Sequence, residues 1–360
     1  MNEKNLTVPV GENLLGRVLD ARGEPIDGSS LLPNTPRHPI YPLSSTKKDS
    51  ADSSQLFETG VKVIDLLAPI PRNGLVHFIS SWGLGRIVLL SELMRNLAAV
   101  HQGYTVFVGV EERPREWLDI RLSFRQSGIV DKVVSILVQV DDPVEIAQQA
   151  MLTGLTIAEY FRDQLARELI LIVDQRLLTG QNGYLQQQLE AMKQVSTASF
   201  ISGFLDSELD SAHMIPPDLP DGKIVFSRNL ADQGLYPAVD PLASHSKILK
   251  PEIVGETHFQ VAQTIRQMLR RERELREVEQ SQNTDKLPDN DRRLMARARR
   301  IQRFLTQPLF TAQLATAIPG EYVKHEEMIR SCQALINGQY DHLPEEVFNY
   351  VGAIEQALKP

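Results

Sequence analysis

The chain has 360 residues, of which 42% are hydrophobic and 23% are charged, and its formal net charge at pH 7 is −8. This composition is ordinary for a folded protein and leaves room for two or three domains. The negative charge argues against a nucleic-acid partner, because polyanions are bound by basic surfaces. Cys332 is the only cysteine, so we predict an inert buried thiol rather than a disulfide or a metal cluster.

Membrane and export signals are the next features that the sequence argues against. No segment reaches the roughly 18 uninterrupted apolar residues that a membrane span requires. Residues 1–11 contain no apolar run of signal-peptide length. The sequence therefore predicts a cytoplasmic protein.

The amino-terminal segment, residues 1–55, changes character along its length. It opens with alternating polar and apolar residues and then becomes rich in Pro, Ser and Asp, notably at 31–36 and 44–50. That second composition favours an extended or mobile arm.

Residues 56–250 alternate between short apolar runs and helical patterns, which is typical of βαβ units on a parallel sheet. Strands are predicted at 76–79, 104–110 and 168–173, and a helix at 88–99. After about residue 250 the pattern becomes helical and charged. The run within 261–280 predicts a solvated helix face with ion pairs four residues apart. These patterns indicate an α/β fold followed by a helical domain.

The loop after the first predicted strand, residues 80–87, reads Ser-Ser-Trp-Gly-Leu-Gly-Arg-Ile. A phosphate-binding loop, G-x-x-x-x-G-K-[ST], needs glycines so that backbone N–H groups wrap the phosphates. It also needs a lysine for the outer phosphates and a hydroxyl for magnesium. Here Ser80 replaces the first glycine, Arg86 the lysine and Ile87 the hydroxyl residue, so that only Gly85 and a cationic neighbour survive; Gly83 is a further residue of this degenerate nucleotide site. Taken alone, this loop would not identify a nucleotide site.

The substituted side chains weigh against phosphate and magnesium binding. The wide guanidinium of Arg86 cannot nest as a compact charge where lysine would, although it could bind phosphate bidentately from another pose. Ile87 has no oxygen for a metal ion. Trp82 adds bulk beside the phosphate path, and we predict that it packs into the space that a nucleotide would otherwise occupy.

The sequence around this loop resembles the beta subunit of the F-type ATP synthase, in the same order and across nearly the whole chain. One long match is Thr-Gly-Val-Lys-Val-Ile-Asp-Leu-Leu at 59–67. The further matching segments are 7–11, 15–18, 23–27, 152–163, 236–242, 299–305 and 340–345. Glu112 and Arg113 match the G-E-R signature of the catalytic beta type, where alpha subunits carry glutamine.

The resemblance implies three domains and a fold. Residues 1–55 correspond to the remnant of an amino-terminal β-barrel plus a linker, with most of the barrel missing. Residues 56–250 correspond to a RecA-like parallel-sheet domain of the nucleotide-binding type, and residues 251–360 to a carboxy-terminal helical domain. In the family the barrels form the crown that holds the ring together.

The resemblance also assigns roles to site residues. Glu112 matches the general base that orients the attacking water, and Arg113 is one of its neighbours; the alternative for Glu112 is a salt bridge with an adjacent arginine. Asp174 follows the third predicted strand and matches the Walker-B aspartate, or else simply caps that strand. Tyr236 matches the aromatic platform on which adenine stacks. We predict no metal site, given Ile87.

Several departures from the family affect binding and coupling. Leu309 and Ala315 replace the carboxy-terminal aromatics of the adenine pocket. Only 61 residues separate Asp174 from Tyr236, and the family's G-R-x-P-S-A-V-G-Y-Q-P-T segment has no counterpart. The acidic lever that touches the rotor is weakened at 285–291, where a proline interrupts it.

The losses together predict a pseudo-ATPase with a structural or regulatory role and no bound cofactor. The alternative is a working ATP synthase beta subunit with an altered loop, which would bind ATP or ADP with magnesium. A decaying duplicate gene is a third reading. The expected partners are alpha-like or other synthase subunits, with weak or no self-association, and such a complex would place the chain at the inner face of a membrane. The sequence leaves the partner and the coupling ion open.

Overall fold

The structure is a computed structural model that describes residues 6–31, 33–40, 55–111, 121–122, 124–178, 184–204, 215, 218–282 and 288–358. The chain divides into two compact units. The first comprises Met1–Phe57 and Pro71–Asp221, and the second comprises Glu58–Ile70 and Gly222–Pro360. The three-domain division given above stays a prediction.

The described strands are short at the amino terminus and longer in the centre of the first unit. They are β1 (Thr7–Pro9), β2 (Val18–Leu19), β3 (Arg37–Pro39), β4 (Leu56–Phe57), β5 (Ile70–Pro71), β6 (Gly74–Ser80), β7 (Tyr104–Glu111), β8 (Val133–Gln139), β9 (Leu169–Asp174), β10 (Ala198–Phe204), β11 (Gly222–Val225) and β12 (His245–Ser246).

The described helices are concentrated in the second unit. They are α1 (Lys62–Leu67), α2 (Arg86–Val100), α3 (Val144–Leu165), α4 (Tyr184–Val195), α5 (Arg228–Asp232), α6 (Pro251–Val254), α7 (Glu256–Gln282), α8 (Asp289–Phe304), α9 (Gln313–Thr316), α10 (His325–Ile336) and α11 (Ile354–Ala357). None of these described helices combines the length and the apolar character that crossing a bilayer requires.

A parallel sheet forms the centre of the first unit, with six strands in the order β6, β10, β9, β7, β8, β2. Every residue of β6 is buried, and so are Leu169–Val173 of β9. A parallel strand covered on both faces needs apolar side chains on both, so it appears in the sequence as an unbroken apolar run. This explains why the strands predicted at 76–79, 104–110 and 168–173 are confirmed, as is the helix at 88–99.

The amino-terminal segment packs into the first unit where it is described. Strands β1 and β3 pair antiparallel, with Val8 opposite His38, and Val8, Val10 and Leu14 are fully buried. Part of the segment predicted as an extended or mobile arm is therefore an extended strand in a sheet. The stretch 44–50 lies outside the described residues.

Helices pack together in the second unit, where α8 and α10 both lie against α7. The predicted helix at 261–280 falls within α7, and most of its charged run is exposed as expected. Glu272 is the exception: it is only 4% exposed and pairs with Arg276. Cys332 on α10 is free and buried, and burial raises the pKa of its thiol to about 12. The predicted burial of this thiol is confirmed, and its inertness stays a prediction.

Candidate functional site

The carboxyl ends of β6, β7, β9 and β10 meet at one edge of the sheet, because these strands run parallel and are neighbours. Ligands of open α/β sheets bind outside this edge. A cavity of about 220 Å³ opens there. Its lining is Ser81, Trp82, Gly83, Leu84, Gly85, Arg86, Ile87, Val88, Phe107, Val110, Glu111, Leu137, Asp174, Arg176 and Ser202.

The altered loop connects β6 to α2, as a phosphate-binding loop does. Gly83 and Gly85 have φ angles of +77° and +81°, a left-handed region that favours glycine. Gly85 is also the residue that precedes the first turn of α2. Both glycines of the loop therefore adopt a backbone conformation that favours glycine.

The four loop residues at positions 80, 82, 86 and 87 differ in burial and in whether they line the cavity. Ser80 is fully buried at the end of β6 and does not line the cavity. Arg86 is 5% exposed, and its Nη1 donates a hydrogen bond to the carbonyl of Gly203 on β10. Ile87 lines the cavity with hydrocarbon. Trp82 lines it too but remains 44% exposed, so the prediction that Trp82 packs into the nucleotide space is wrong, since the cavity stays open beside an exposed ring.

Asp174 ends β9 and faces the cavity, where its carboxylate is paired with a residue that the sequence analysis missed. Its Oδ1 accepts hydrogen bonds from the backbone N and the Nε of Arg176, each at 2.9 Å. Its Oδ2 accepts from Nη2 of Arg176 at 2.7 Å. The bond to the backbone N caps the short turn Gln175–Leu177. Asp174 thus caps the turn that follows its strand, and its Walker-B role stays a prediction.

Two further cavity residues carry chemistry that the sequence analysis missed. Glu111, the last residue of β7, adds a carboxylate to the lining, and Nε2 of Gln139 donates to it at 2.8 Å. It stands at the glycine of the family's G-E-R signature, which is the signal that could have found it. Phe107 contributes a buried ring that packs edge-on against Phe124, with the two ring centroids 6.4 Å apart. Aromatic and apolar side chains thus make up much of the lining.

Three further predicted site residues are Glu112, Arg113 and Tyr236. Glu112 and Arg113 lie outside the described residues, so their roles stay predictions. Tyr236 belongs to the second unit, where its ring is 38% exposed and its carbonyl accepts from the backbone N of Gln307 at 3.0 Å. Leu309 is buried in the same unit, whereas Ala315 is exposed.

The oxygen atoms of the described lining decide whether magnesium fits this cavity. Magnesium requires oxygen ligands in a near-octahedral arrangement, yet Ile87 has none and both oxygens of Asp174 accept from Arg176. Among the described residues, no group of three or more His, Cys, Asp or Glu side chains is placed to hold a metal ion. At Ile87 and Asp174, the donor atoms present therefore do not fit magnesium.

Two family models match the chain. Residues 60–198 match the nucleotide-binding domain of the ATP synthase alpha/beta family. Residues 247–343 match the C-terminal domain of V and A type ATP synthase, which supports the family but not the F-type beta branch in particular. The chain therefore carries a nucleotide-binding domain of the ATP synthase alpha/beta family, followed by a C-terminal domain of the V and A type.

Proposed function

We propose that this chain is a beta-type pseudo-ATPase, a structural or regulatory subunit of a synthase-like assembly that does not turn over ATP. Arg86 carries this proposal. Arg86 lines the cavity at the lysine position, yet it is buried and its Nη1 donates a hydrogen bond to the Gly203 carbonyl. A buried guanidinium that turned outward would leave that carbonyl without its partner, which costs free energy.

The other altered position supports the same proposal. Ile87 stands in the first turn of α2, where the family's hydroxyl would bind magnesium. Phosphoryl transfer depends on positioning and on neutralising charge through lysine and metal, so losing both removes the main sources of catalysis. The family's other subunits are the expected partners, and an alpha-like subunit is the first to test.

Calorimetric titration with Mg-ATP tests the proposal. We expect a Kd on the order of 1 mM or weaker, which corresponds to about −4 kcal/mol of binding free energy. A working beta subunit titrated in the same buffer is the positive control. Affinity in the micromolar range would overturn the proposal and favour a working subunit with an altered loop.

The retained carboxylate gives a second test. If the general-base position is a relic, Glu112→Gln leaves any residual ATPase rate unchanged. In a working enzyme the same change costs about two to four powers of ten, the usual contribution of a positioned general base. A large fall in turnover would show that the site is active.

A further inference from the structure

The Asp174–Arg176 pair forms part of the cavity wall and is mostly shielded from solvent. The two side chains are 14% and 12% exposed, respectively. Three hydrogen bonds join them, two to Oδ1 and one to Oδ2. Nη2 of Arg176 also donates to the carbonyl of Val110 on β7 at 3.3 Å. The guanidinium is thus tied to the ends of two neighbouring strands.

The turn that carries Arg176 is fixed from its other side. The neighbouring Gln175 is buried, and its Oε1 lies 2.8 Å from Nε2 of His77 on β6. The backbone of Gly203 approaches this amide so closely that an added Cβ would lie 2.1 Å from the same Oε1. The packing around Gln175 therefore holds the turn in place and Arg176 against Asp174.

The guanidinium of Arg176 balances the charge of the Asp174 carboxylate, as a bound cation would. Both carboxylate oxygens accept from one guanidinium, which is a strong bidentate arrangement. Arginine is charged at neutral pH, and because its guanidinium is part of the chain it cannot diffuse away as a bound ion can. A divalent ion on the same oxygens would have to displace the guanidinium or lie beside it, where like charges repel.

We propose that Arg176 is a tethered cation that takes the place of a divalent metal on Asp174, so that this site excludes divalent ions even when a hydroxyl is returned at position 87. The proposal deepens the pseudo-ATPase assignment and rests on it. Arg176 then has a specificity-determining role, because any anion that binds in the cavity binds without a metal ion bridging it to Asp174.

Titration with Mn²⁺ alone, in the absence of nucleotide, tests this role. Oxygen ligands suited to magnesium also suit Mn²⁺, and free Mn²⁺ is quantified by its electron paramagnetic resonance signal. The variants are Ile87→Thr, Ile87→Thr with Arg176→Gln, and Ile87→Thr with Arg176→Lys. We expect the Gln double variant to bind one Mn²⁺ at least about tenfold more tightly than Ile87→Thr. Replacing a residue that hydrogen-bonds to a metal ligand typically changes metal affinity by about this factor.

The Lys double variant separates charge from shape, because lysine keeps a cation beside Asp174. We expect it to exclude Mn²⁺ as Ile87→Thr does. Adding Asp174→Asn to the Gln double variant must abolish the new site. Equal binding by Ile87→Thr and the Gln double variant would overturn the proposal, as would a gain that survives Asp174→Asn or a Gln double variant that binds no Mn²⁺.

A matched control comes from another bidentate pair in the chain. Nε and Nη2 of Arg162 bind the two oxygens of Asp163 at 2.6 and 2.7 Å, and neither residue lines the cavity. Arg162→Gln with Ile87→Thr should gain no Mn²⁺ site. Thermal unfolding checks the fold of each variant, and Arg176→Met replaces Arg176→Gln if the latter does not fold.

The two proposals fail in different experiments. Micromolar Mg-ATP binding by the unaltered chain would refute the pseudo-ATPase assignment. Failure of Arg176→Gln to raise Mn²⁺ affinity would refute the tethered-cation proposal. It would not affect the pseudo-ATPase proposal, which depends on weak nucleotide binding.

Discussion

At the scale of single residues, a pair of histidines in the second unit shows how burial sets a charge state. His258 is 2% exposed, and its Nε2 lies 2.8 Å from the carbonyl of Leu66. A carbonyl only accepts, so this nitrogen carries the proton. Its Nδ1 then accepts from Nε2 of His325 at 2.9 Å. Burial lowers the pKa of His258 to about 4, and burial also lowers the pKa of His325.

This depressed pKa makes stability depend on pH. The unfolded chain binds a proton at His258 near pH 6.5 but the folded chain only near pH 4. The free energy of unfolding therefore rises with pH between these values, and at about pH 5 His258 alone removes about 2 kcal/mol relative to pH 7.5. His258→Gln keeps a donor to Leu66 and should flatten this dependence in urea titrations. The exposed His342 provides the control: His342→Gln should keep the slope, and an unchanged slope in His258→Gln would refute the assignment.

Burial also controls the reactivity of Cys332. Its raised pKa leaves almost no thiolate, which is the nucleophilic form, and the side chain is fully buried. We expect a thiol reagent to leave the folded protein unlabelled over the time in which urea-unfolded protein reacts completely. Prompt labelling of folded protein would show that α10 opens far more readily than this packing implies.

At the scale of elements, two glycines with similar positive φ angles have different surroundings. Gly85 precedes α2 with φ +81°, and an added Cβ would meet no atom within 4 Å. Gly60 precedes α1 with φ +74°, and an added Cβ would lie 2.2 Å from the Tyr322 ring. One position is constrained by its backbone alone, the other by backbone and packing together.

The two glycines therefore predict unequal costs of alanine substitution. Gly85→Ala should lower the free energy of unfolding by about 1 to 2 kcal/mol, the cost of a left-handed conformation for a residue with a Cβ. Gly60→Ala should cost about 1 to 3 kcal/mol more, because the methyl group overpacks against a ring. Scanning calorimetry of both variants measures the difference. Equal costs would mean that Tyr322 moves aside freely.

At the scale of the whole molecule, assembly is the property that the family most strongly implies. The family implies other ATP synthase subunits as partners. Specific association needs about 1,200 to 2,000 Å² of buried surface. We expect the isolated chain to be a monomer or weakly associated, with a scattering mass near 40.5 kDa at micromolar concentration. A stable hexamer of the chain alone would contradict this, whereas a defined complex with an alpha-like subunit is the expected outcome.

Local sequence determined the elements and the altered loop. The central strands are mostly apolar because both of their faces are buried, so β6, β7 and β9 were predicted within a few residues. Gly83 and Gly85 were singled out from the loop motif, and both adopt a positive φ, which glycine tolerates best. The absence of an oxygen on Ile87 is a property of the residue itself and holds in any fold. The family resemblance added the roles of residues such as Glu112 and Tyr236, which stay predictions.

Only the tertiary structure decided which groups meet at the cavity. Arg86 and Gly203 are more than a hundred residues apart, and they meet because parallel strands bring their carboxyl ends to one edge of the sheet. Asp174 and Arg176 are close in sequence, yet their pairing depends on a turn that His77 holds from another strand. Hydrogen-bond partners across strands follow from sheet order, and sheet order is set by long-range packing that no local pattern records.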